Sequence, residues 1–363
     1  MSADVQDPPP AAEAVVLVGG QGVRLRPLTL SAPKPMLPTA GVPFLSHLLS
    51  RIRAAGIEHV VLGTSYKAEV FAEHFGDGSE LGLQLEYVVE QEPLDTAGAI
   101  RNVADRLSAD DVLVFNGDIL SGVDLNDLLA THRGTAADVT LHLVKVADPR
   151  WFGCVPTDAD GRVTAFLEKT ENPPVDQINA GCYVFRRDVI NTIPAGRPVS
   201  VERETFPQLL ASGARVQGYV DNSYWLDMGT PAAFVRGSAD LVLGTAPSNA
   251  LPGEPGEALV LAGAWVAADA EVRGGSTVGA DCVVEAGASV VESVLFDGVR
   301  VARGAVVERC VIGAGAIIGE GAVLRDAVIG DGARIGADCE LLHGVRVWPG
   351  VELPPYSVRF SAD

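Results

Sequence analysis

From Val266 to Val347 an aliphatic residue recurs at Val266, Val272, Val278, Val284, Val290, Leu295, Val301, Val307, Ile312, Ile318, Leu324, Ile329, Ile335, Leu341 and Val347. The step is six residues, shortened to five at three places, and those places are 17 residues apart. Small residues (Gly, Ala, Ser) crowd the positions between. Hexapeptide repetition of this kind is the signature of a parallel β-helix, in which three short strands make one triangular coil and each aliphatic residue points into a stacked core. Random spacing does not hold such a register over fifteen positions, so residues 259–363 are expected to form this domain.

Upstream the pattern changes. Residues 245–258, "TAPSNALPGEPGEA", hold three prolines and two glycines and read as a linker. Residues 13–244 alternate short apolar runs with amphipathic stretches. "AVVLVGG", "HVVLGTS", "LQLEYVVE" and "DVLVFNGD" read as strands. "FLSHLLSRIRAAG", capped by Gly56, a stretch through Phe71 and Phe75, and "TAGAIRNVADRL" read as helices. Strands alternating with helices imply βαβ units and a mainly parallel, Rossmann-like α/β sheet, whose ligands bind beyond the carboxyl ends of the strands. Residues 1–12 are Pro- and Ala-rich without a basic n-region, and read as a disordered tail rather than a signal peptide.

Composition narrows the function classes. A chain of 363 residues suits two cores rather than one, and 47% hydrophobic with 20% charged residues is a soluble globular composition. The formal net charge of -20 argues against a nucleic-acid groove, and requires any phosphate site to be a local cluster of cations in a negative field. No stretch approaches the ~20 apolar residues of a membrane span. Cys154, Cys182, Cys282, Cys310 and Cys339 are odd in number and form no C-x-x-C pair, as expected of buried thiols in a reducing cytoplasm.

Three segments carry chemistry. "LVGGQGVRLRPLTLSAPKPML", Leu17 to Leu37, leaves a strand end and is glycine-rich. Gly19, Gly20 and Gly22 can take positive φ and bring backbone N–H groups close to phosphate oxygens, while Arg24 and Lys34 supply cations. The dinucleotide fingerprint fits poorly, because Arg-Leu-Arg-Pro follows where a helix should open, and there is no G-K-[ST] of a P-loop. Asp118 follows the buried run "VLVFNGD", where a carboxylate is costly unless paired or metal-bound. Alone it could be a helix N-cap, but with Asp227 in "YWLDMGT" a Mg2+ site completed by substrate phosphates becomes the better reading. Glu168-Lys169 in "AFLEKT", taken alone, reads as a solvated surface pair. The lone His343 in the coils reads as structural rather than as an acyltransferase base.

Taken whole, the first segment resembles the signature G-G-x-G-T-R-L-x-P-L-T…P-K-P of sugar-nucleotide pyrophosphorylases, the sugar-1-phosphate nucleotidyltransferase family. "EPLDTAGAIRNV", "NGD" at 116–118, "FLEKTENPP", "INAGCYVF" and "YWLDMGTP" support it, in the order and spacing of the mannose-1-phosphate guanylyltransferase group. The resemblance covers the chain after its tail, and similarity to hexapeptide-repeat proteins implies a left-handed coil. Two positions depart from the pattern: Val23 stands where Thr is usual, and Asp95 where Gly is common.

The resemblance implies transfer of a nucleoside monophosphate from GTP to mannose 1-phosphate, giving GDP-mannose and pyrophosphate. It assigns Mg2+ to Asp118 and Asp227, and catalysis to Arg24, Lys34, Asp118, Lys169 and Asp227. Nucleotide contacts fall to Leu17, Gly19, Gly20, Gly22, Arg24, Lys34, Glu90, Pro93, Gly98 and Gly117. The sugar phosphate falls to Gly153, Glu168, Lys169 and Asn179. Glu90 is the expected reader of the base, since an ionised carboxylate accepts from both N1–H and N2–H₂ of guanine, with Glu92 as the other candidate. The alternatives are a uridylyl-, thymidylyl- or adenylyltransferase acting on glucose 1-phosphate, and a catalytically silent regulatory homologue, against which the retained Arg24, Lys34, Asp118, Lys169 and Asp227 argue. An open end coil implies a homo-oligomer, with the catalytic residues all upstream of residue 245.

Overall fold

The computed structural model describes residues 12–65, 67–167 and 169–359. The tail expected over residues 1–12 lies, but for Ala12, outside the described residues, as does Glu168. One compact unit takes the chain through Gly19, Ile52–Gly117 and Val123–Ser223; the other takes Gly20–Arg51, Asp118–Gly122 and the chain from Tyr224 onward.

The first unit is built on seven strands: β1 Ala12–Leu17, β2 His59–Thr64, β3 Gln84–Val89, β4 Asp111–Asn116, β5 Val139–Lys145, β6 Gln177–Arg186 and β7 Val216–Asp221. Their order in the sheet is β7-β5-β6-β4-β1-β2-β3. β1 runs parallel to β2 and β4, β2 to β3, and β5 to β7, while β6 alone is antiparallel to its neighbours β4 and β5. This is the Rossmann-like sheet read from the apolar runs. The middles of β1, β2 and β4 are apolar and fully buried because both faces are covered. Val15, Val61, Val112 and Val114 share a core with Ala97 and Ile100 of the Asp95–Asn102 helix and with Tyr183, Phe185 and Phe206. Gly56 has φ +82° and its N–H bonds the Arg53 carbonyl at 3.0 Å, the expected helix stop. The run "TAGAIRNVADRL" is not one helix: the α-helix stops at Asn102, and a separate 3₁₀ turn follows at Ala104–Arg106.

In the second unit, short strands from Ala258 onward form three parallel sheets, consistent with the expected left-handed β-helix. The aliphatic positions stack into three columns. One runs Val260, Val278, Leu295, Ile312, Ile329, Val347. The second runs Val266, Val284, Val301, Ile318, Ile335, Leu353, and the third Val272, Val290, Val307, Leu324, Leu341. The five-residue steps have a backbone cause. Each falls at a corner turned by a single left-handed residue: Glu292 (φ +45°), Arg309 (+51°) and Asp326 (+55°). The six-residue corners beside them hold two such residues, Gly274-Gly275 and His343-Gly344. His343 thus sits in a corner turn of the coil.

The same unit carries the Pro231–Val242 helix, whose Thr230 cap accepts from the Ala233 N–H at 3.2 Å. Its Phe234, Val235 and Leu241 share a core with Leu25, Leu28, Leu37 and Phe44 and with Val294, Phe296, Val311 and Val328 of the coils. All five cysteines are buried with free thiols. No helix among the described residues is long and apolar enough to cross a membrane.

Candidate active site

The glycine-rich segment folds as three short 3₁₀ turns, Val23–Leu25, Leu28–Leu30 and Lys34–Met36. Gly22 opens the first with φ +59°, a conformation glycine reaches without the Cβ penalty. A side chain there would also press on Thr29 and Lys34 at 2.9 and 3.0 Å. The Thr29 hydroxyl donates to the Gly22 carbonyl at 3.0 Å. Leu25 and Leu28 turn inward and are buried, which leaves Arg24 facing out.

The third turn delivers Lys34, buried to its ammonium. Its Nζ donates to Asp118 Oδ2 at 2.9 Å and lies 4.0 Å from Asp227 Oδ1. The two aspartates are brought together by a two-stranded antiparallel pair, Ile119–Ser121 with Trp225–Asp227, in which Asp227 faces Ile119 and the Met228 N–H donates to the Asp118 carbonyl at 3.1 Å. Asp227 Oδ1 is buried and, among the described residues, has no hydrogen-bond partner. Arg24 belongs to the same cluster. A Cβ built on Gly229 would collide with the Arg24 guanidinium and come within 2.8 Å of Asp227 Oδ1. Gly229 is therefore part of the site. No sequence signal marks it within "DMGT", because a glycine's contribution here is the space it leaves.

This cluster pairs two carboxylates with two cations. The chemistry of the donor set fits a divalent cation: an acidic oxygen buried without a partner is one that a metal would satisfy. Among the described residues no group of three or more His, Cys, Asp or Glu side chains could hold a metal. An ion held by two carboxylates would take its remaining ligands from phosphate oxygens or water.

The other candidates, Gly20 excepted, lie in the first unit. Gly117 donates its N–H to the Leu17 carbonyl at 2.9 Å, and a Cβ on Gly117 would stand 2.6 Å from that oxygen, so the carboxyl ends of β1 and β4 meet only because it is glycine. The Gly19 carbonyl accepts from the Ser65 hydroxyl at 2.5 Å. Gly20 has nothing within 4 Å of where a Cβ would be. Glu90 follows β3. Its N–H donates to the Thr64 carbonyl at 2.8 Å, its carboxylate accepts from the Leu94 N–H at 3.3 Å, and burial pushes its pKa above the ordinary value. Pro93 and Glu92 are exposed.

Gly98 has its N–H on the Val199 carbonyl at 3.1 Å, and a Cβ there would be 2.8 Å from the Arg197 carbonyl. Asp95 has φ +57°, which accounts for the glycine usual at that position; aspartate is among the few residues that tolerate it. Its carboxylate pairs with Arg203 at 2.9 Å. Gly153 packs 2.9 Å (from a built Cβ) under the Leu167 carbonyl, beside the paired Cys154 and Leu167 that lead to the exposed Lys169. Asn179 on β6 donates to Tyr183 Oη at 2.8 Å and to Glu202 Oε1 at 2.6 Å, and accepts from the Gly181 N–H at 3.0 Å. Glu202, on a π-helical turn spanning Val201–Thr205, is a second residue that sequence reasoning missed. A π turn has no compositional signature, although it often marks a functional position.

Residues 255–356 match the family model "GMPPB C-terminal domain". The chain is 67% identical over 352 residues to a mannose-1-phosphate guanylyltransferase of Mycobacterium tuberculosis, covering 97% of this chain and 98% of the relative. It is 35% identical over 232 residues to a mannose-1-phosphate guanyltransferase of Gibberella zeae, covering 62% of this chain and 63% of the relative. Among solved structures, HddC from Yersinia pseudotuberculosis complexed with GMP-PN aligns with a TM-score of 0.56 at 27% identity, covering 63% of this chain and 99% of that one. With residues 13–242 matching the family model "Nucleotidyl transferase", which spans the sheet, the glycine-rich turns and both aspartates, the chain belongs to the nucleotidyl transferase family.

Proposed function

We propose that this protein is a mannose-1-phosphate guanylyltransferase, forming GDP-mannose and pyrophosphate from GTP and mannose 1-phosphate. The observation that carries the proposal is the Lys34 ammonium set between Asp118 and Asp227, with Asp227 Oδ1 lacking a hydrogen bond among the described residues. Identity over nearly the full length of a mannose-1-phosphate guanylyltransferase supports the choice of base and sugar. Members of this family typically use a divalent metal. We take the ion to be Mg2+, held by Asp118 and Asp227; when bound it neutralises phosphate charge and aligns the triphosphate with the incoming phosphate.

The attacking group is a phosphate oxygen of the sugar phosphate, already an anion, so no strong general base is needed. It forms a bond to the α-phosphorus in line as the bond to the leaving pyrophosphate breaks. Catalysis is then positioning and charge neutralisation. Arg24 and Lys34 stabilise the departing pyrophosphate, and Lys169 orients the attacking phosphate. Leu17, Gly19, Gly20, Gly22, Pro93, Gly98 and Gly117 contribute close backbone approach to the nucleotide, and Gly153, Glu168 and Asn179 serve the sugar. Glu90 reads guanine, with its orientation fixed by the Leu94 N–H. We also propose a cytoplasmic homo-oligomer. Exposed Trp348, Val351 and Tyr356 near the end of the coils support self-association, and light scattering giving a monomer at micromolar concentration would reject it.

Asp118→Asn tests the metal assignment. It keeps the shape and removes one ligand charge, so turnover with Mg2+ should fall by roughly 10²–10³ with the thermal midpoint unchanged. Turnover near that of the parent would reject the assignment.

A further inference from the structure

The glycine-rich turns share a buried core with the coils and also accept a hydrogen bond from them. Leu25 and Leu28, the apolar anchors of the turns, lie in the core that also contains Val294, Val311 and Val328. Those three belong to one outward-facing column of a β-helix sheet, which runs Leu259, Thr277, Val294, Val311, Val328, Arg346. Its first five members are buried. The sixth breaks the pattern with a charge, and Arg346 Nη1 donates at 2.8 Å to the carbonyl of Arg26, 320 residues earlier in the chain.

Arg346 differs from most arginines of the coils, although Arg303 and Arg359 also lack an ion pair among the described residues. Five other arginines of the coils, Arg273, Arg300, Arg309, Arg325 and Arg334, pair with carboxylates. Among the described residues Arg346 has no ion-pair partner, and its guanidinium bonds a backbone carbonyl instead. The oxygen it holds closes the turn that presents Arg24. The Leu25 N–H bonds the Gly22 carbonyl at 2.9 Å and the Arg26 N–H bonds the Val23 carbonyl at 3.2 Å, so the Arg26 carbonyl is where this turn is tied down. A guanidinium presents several donors in a fixed plane and loses little orientational freedom when it binds, so it can fix the direction of a carbonyl.

We infer that Arg346 is a positioning residue for the nucleotidyl transfer: the last coil of the β-helix clamps the Arg26 carbonyl and thereby sets the Gly22–Arg26 turn that presents Arg24. The β-helix then contributes to catalysis, although every residue proposed to touch substrate lies upstream of residue 245. The inference rests on reading the turn as part of the triphosphate site.

The test uses the full chain as Arg346→Ala, Arg346→Lys and Arg334→Ala. The last breaks the Arg334–Glu352 pair and serves as a control for general loosening of the coils. Hydrogen exchange of amides in residues 20–28 is read together with kcat and KM for nucleotide and for sugar phosphate. Arg346→Ala should speed exchange at Leu25 and Arg26 and lower kcat/KM for the nucleotide roughly tenfold, about the worth of one good hydrogen bond, while KM for the sugar phosphate holds. Arg346→Lys, which keeps a charged donor, should recover part of both. Arg334→Ala should match the parent. Parental exchange and kinetics in Arg346→Ala would overturn the inference, as would an equal loss in Arg334→Ala. If the parent itself releases no pyrophosphate from any nucleotide, the functional reading fails, and the exchange measurement still decides whether Arg346 holds the turn.

Discussion

Replacing Lys34 with methionine separates what this residue does for the fold from what it does for the reaction. Methionine fills the volume of the buried stem and deletes the ammonium that stands 2.9 Å from Asp118 and 4.0 Å from Asp227. Breaking a fully buried ion pair from one side costs about 3–5 kcal/mol, whereas an exposed pair contributes about 0–1 kcal/mol. Here the lysine side chain is 9% exposed, but those of Asp118 and Asp227 are 40% and 31% exposed, so water reaches the charges left behind. The stability loss should therefore be about 1–2 kcal/mol, read from urea midpoints. Turnover should fall by roughly 10²–10³, as expected when a cation aimed at developing charge is removed. A third consequence has the opposite sign. The ammonium competes with a divalent ion for the same two carboxylates, so Mn2+ titrated into the variant without nucleotide, followed by the loss of its free-ion paramagnetic resonance signal, should bind more tightly than to the parent. A loss of about 3–5 kcal/mol with turnover intact would make Lys34 a structural cation, and weaker Mn2+ binding would refute its placement against the metal carboxylates.

Three further perturbations follow from the geometry. Gly229→Ala drives a methyl group into the Arg24 guanidinium and the Asp227 carboxylate, and should lower kcat roughly tenfold or more while the urea midpoint stays near that of the parent; unchanged kcat would mean these groups need not be where they are. Glu90→Gln should lower kcat/KM for GTP far more than for dTTP, both with mannose 1-phosphate, and equal effects would remove Glu90 from base reading. Glu13 on β1 is buried, which pushes its pKa up, but N–H groups of Ala109 and Ser108, with the His59 ring and the Ser108 hydroxyl, bring it below the ordinary value. Because the folded pKa is lowered, the stability it contributes is present above the unfolded pKa of ~4.3 and is lost as pH falls through the folded value. Glu13→Gln should cost about 1–3 kcal/mol at pH 7 and flatten the acid limb of a urea-midpoint against pH curve; an unchanged limb would show that Glu13 does not drive it.

What could be read from the sequence depended on whether the determining contacts are local. The β-helix core was legible to the residue, because each inward position recurs at a spacing fixed by the coil itself. The cause of the five-residue steps was not, since Glu292, Arg309 and Asp326 are residues in which composition gives little sign of a left-handed backbone. β1 to β4 were legible as apolar runs, but the break after Asn102 was hidden in a sequence of good helix formers. The phosphate chemistry expected of the glycine-rich segment rests on its residue types. That its leucines are buried with Val294, Val311 and Val328, and that Arg346 holds its carbonyl, are packing facts between residues hundreds of positions apart, and no window of sequence contains both partners. Asp95 shows the converse: an unexpected letter in a motif became intelligible once its φ of +57° was known.

Pyrophosphate release by the full chain, measured with GTP, ATP, UTP and dTTP against mannose 1-phosphate and glucose 1-phosphate in the presence of Mg2+, tests the central claim most directly. GTP with mannose 1-phosphate should give the highest kcat/KM, by several kcal/mol of discrimination over the other bases, because a carboxylate that meets guanine's paired donors is left unmatched by adenine. A higher kcat/KM for another nucleotide with glucose 1-phosphate, or no release from any combination, would contradict the assignment.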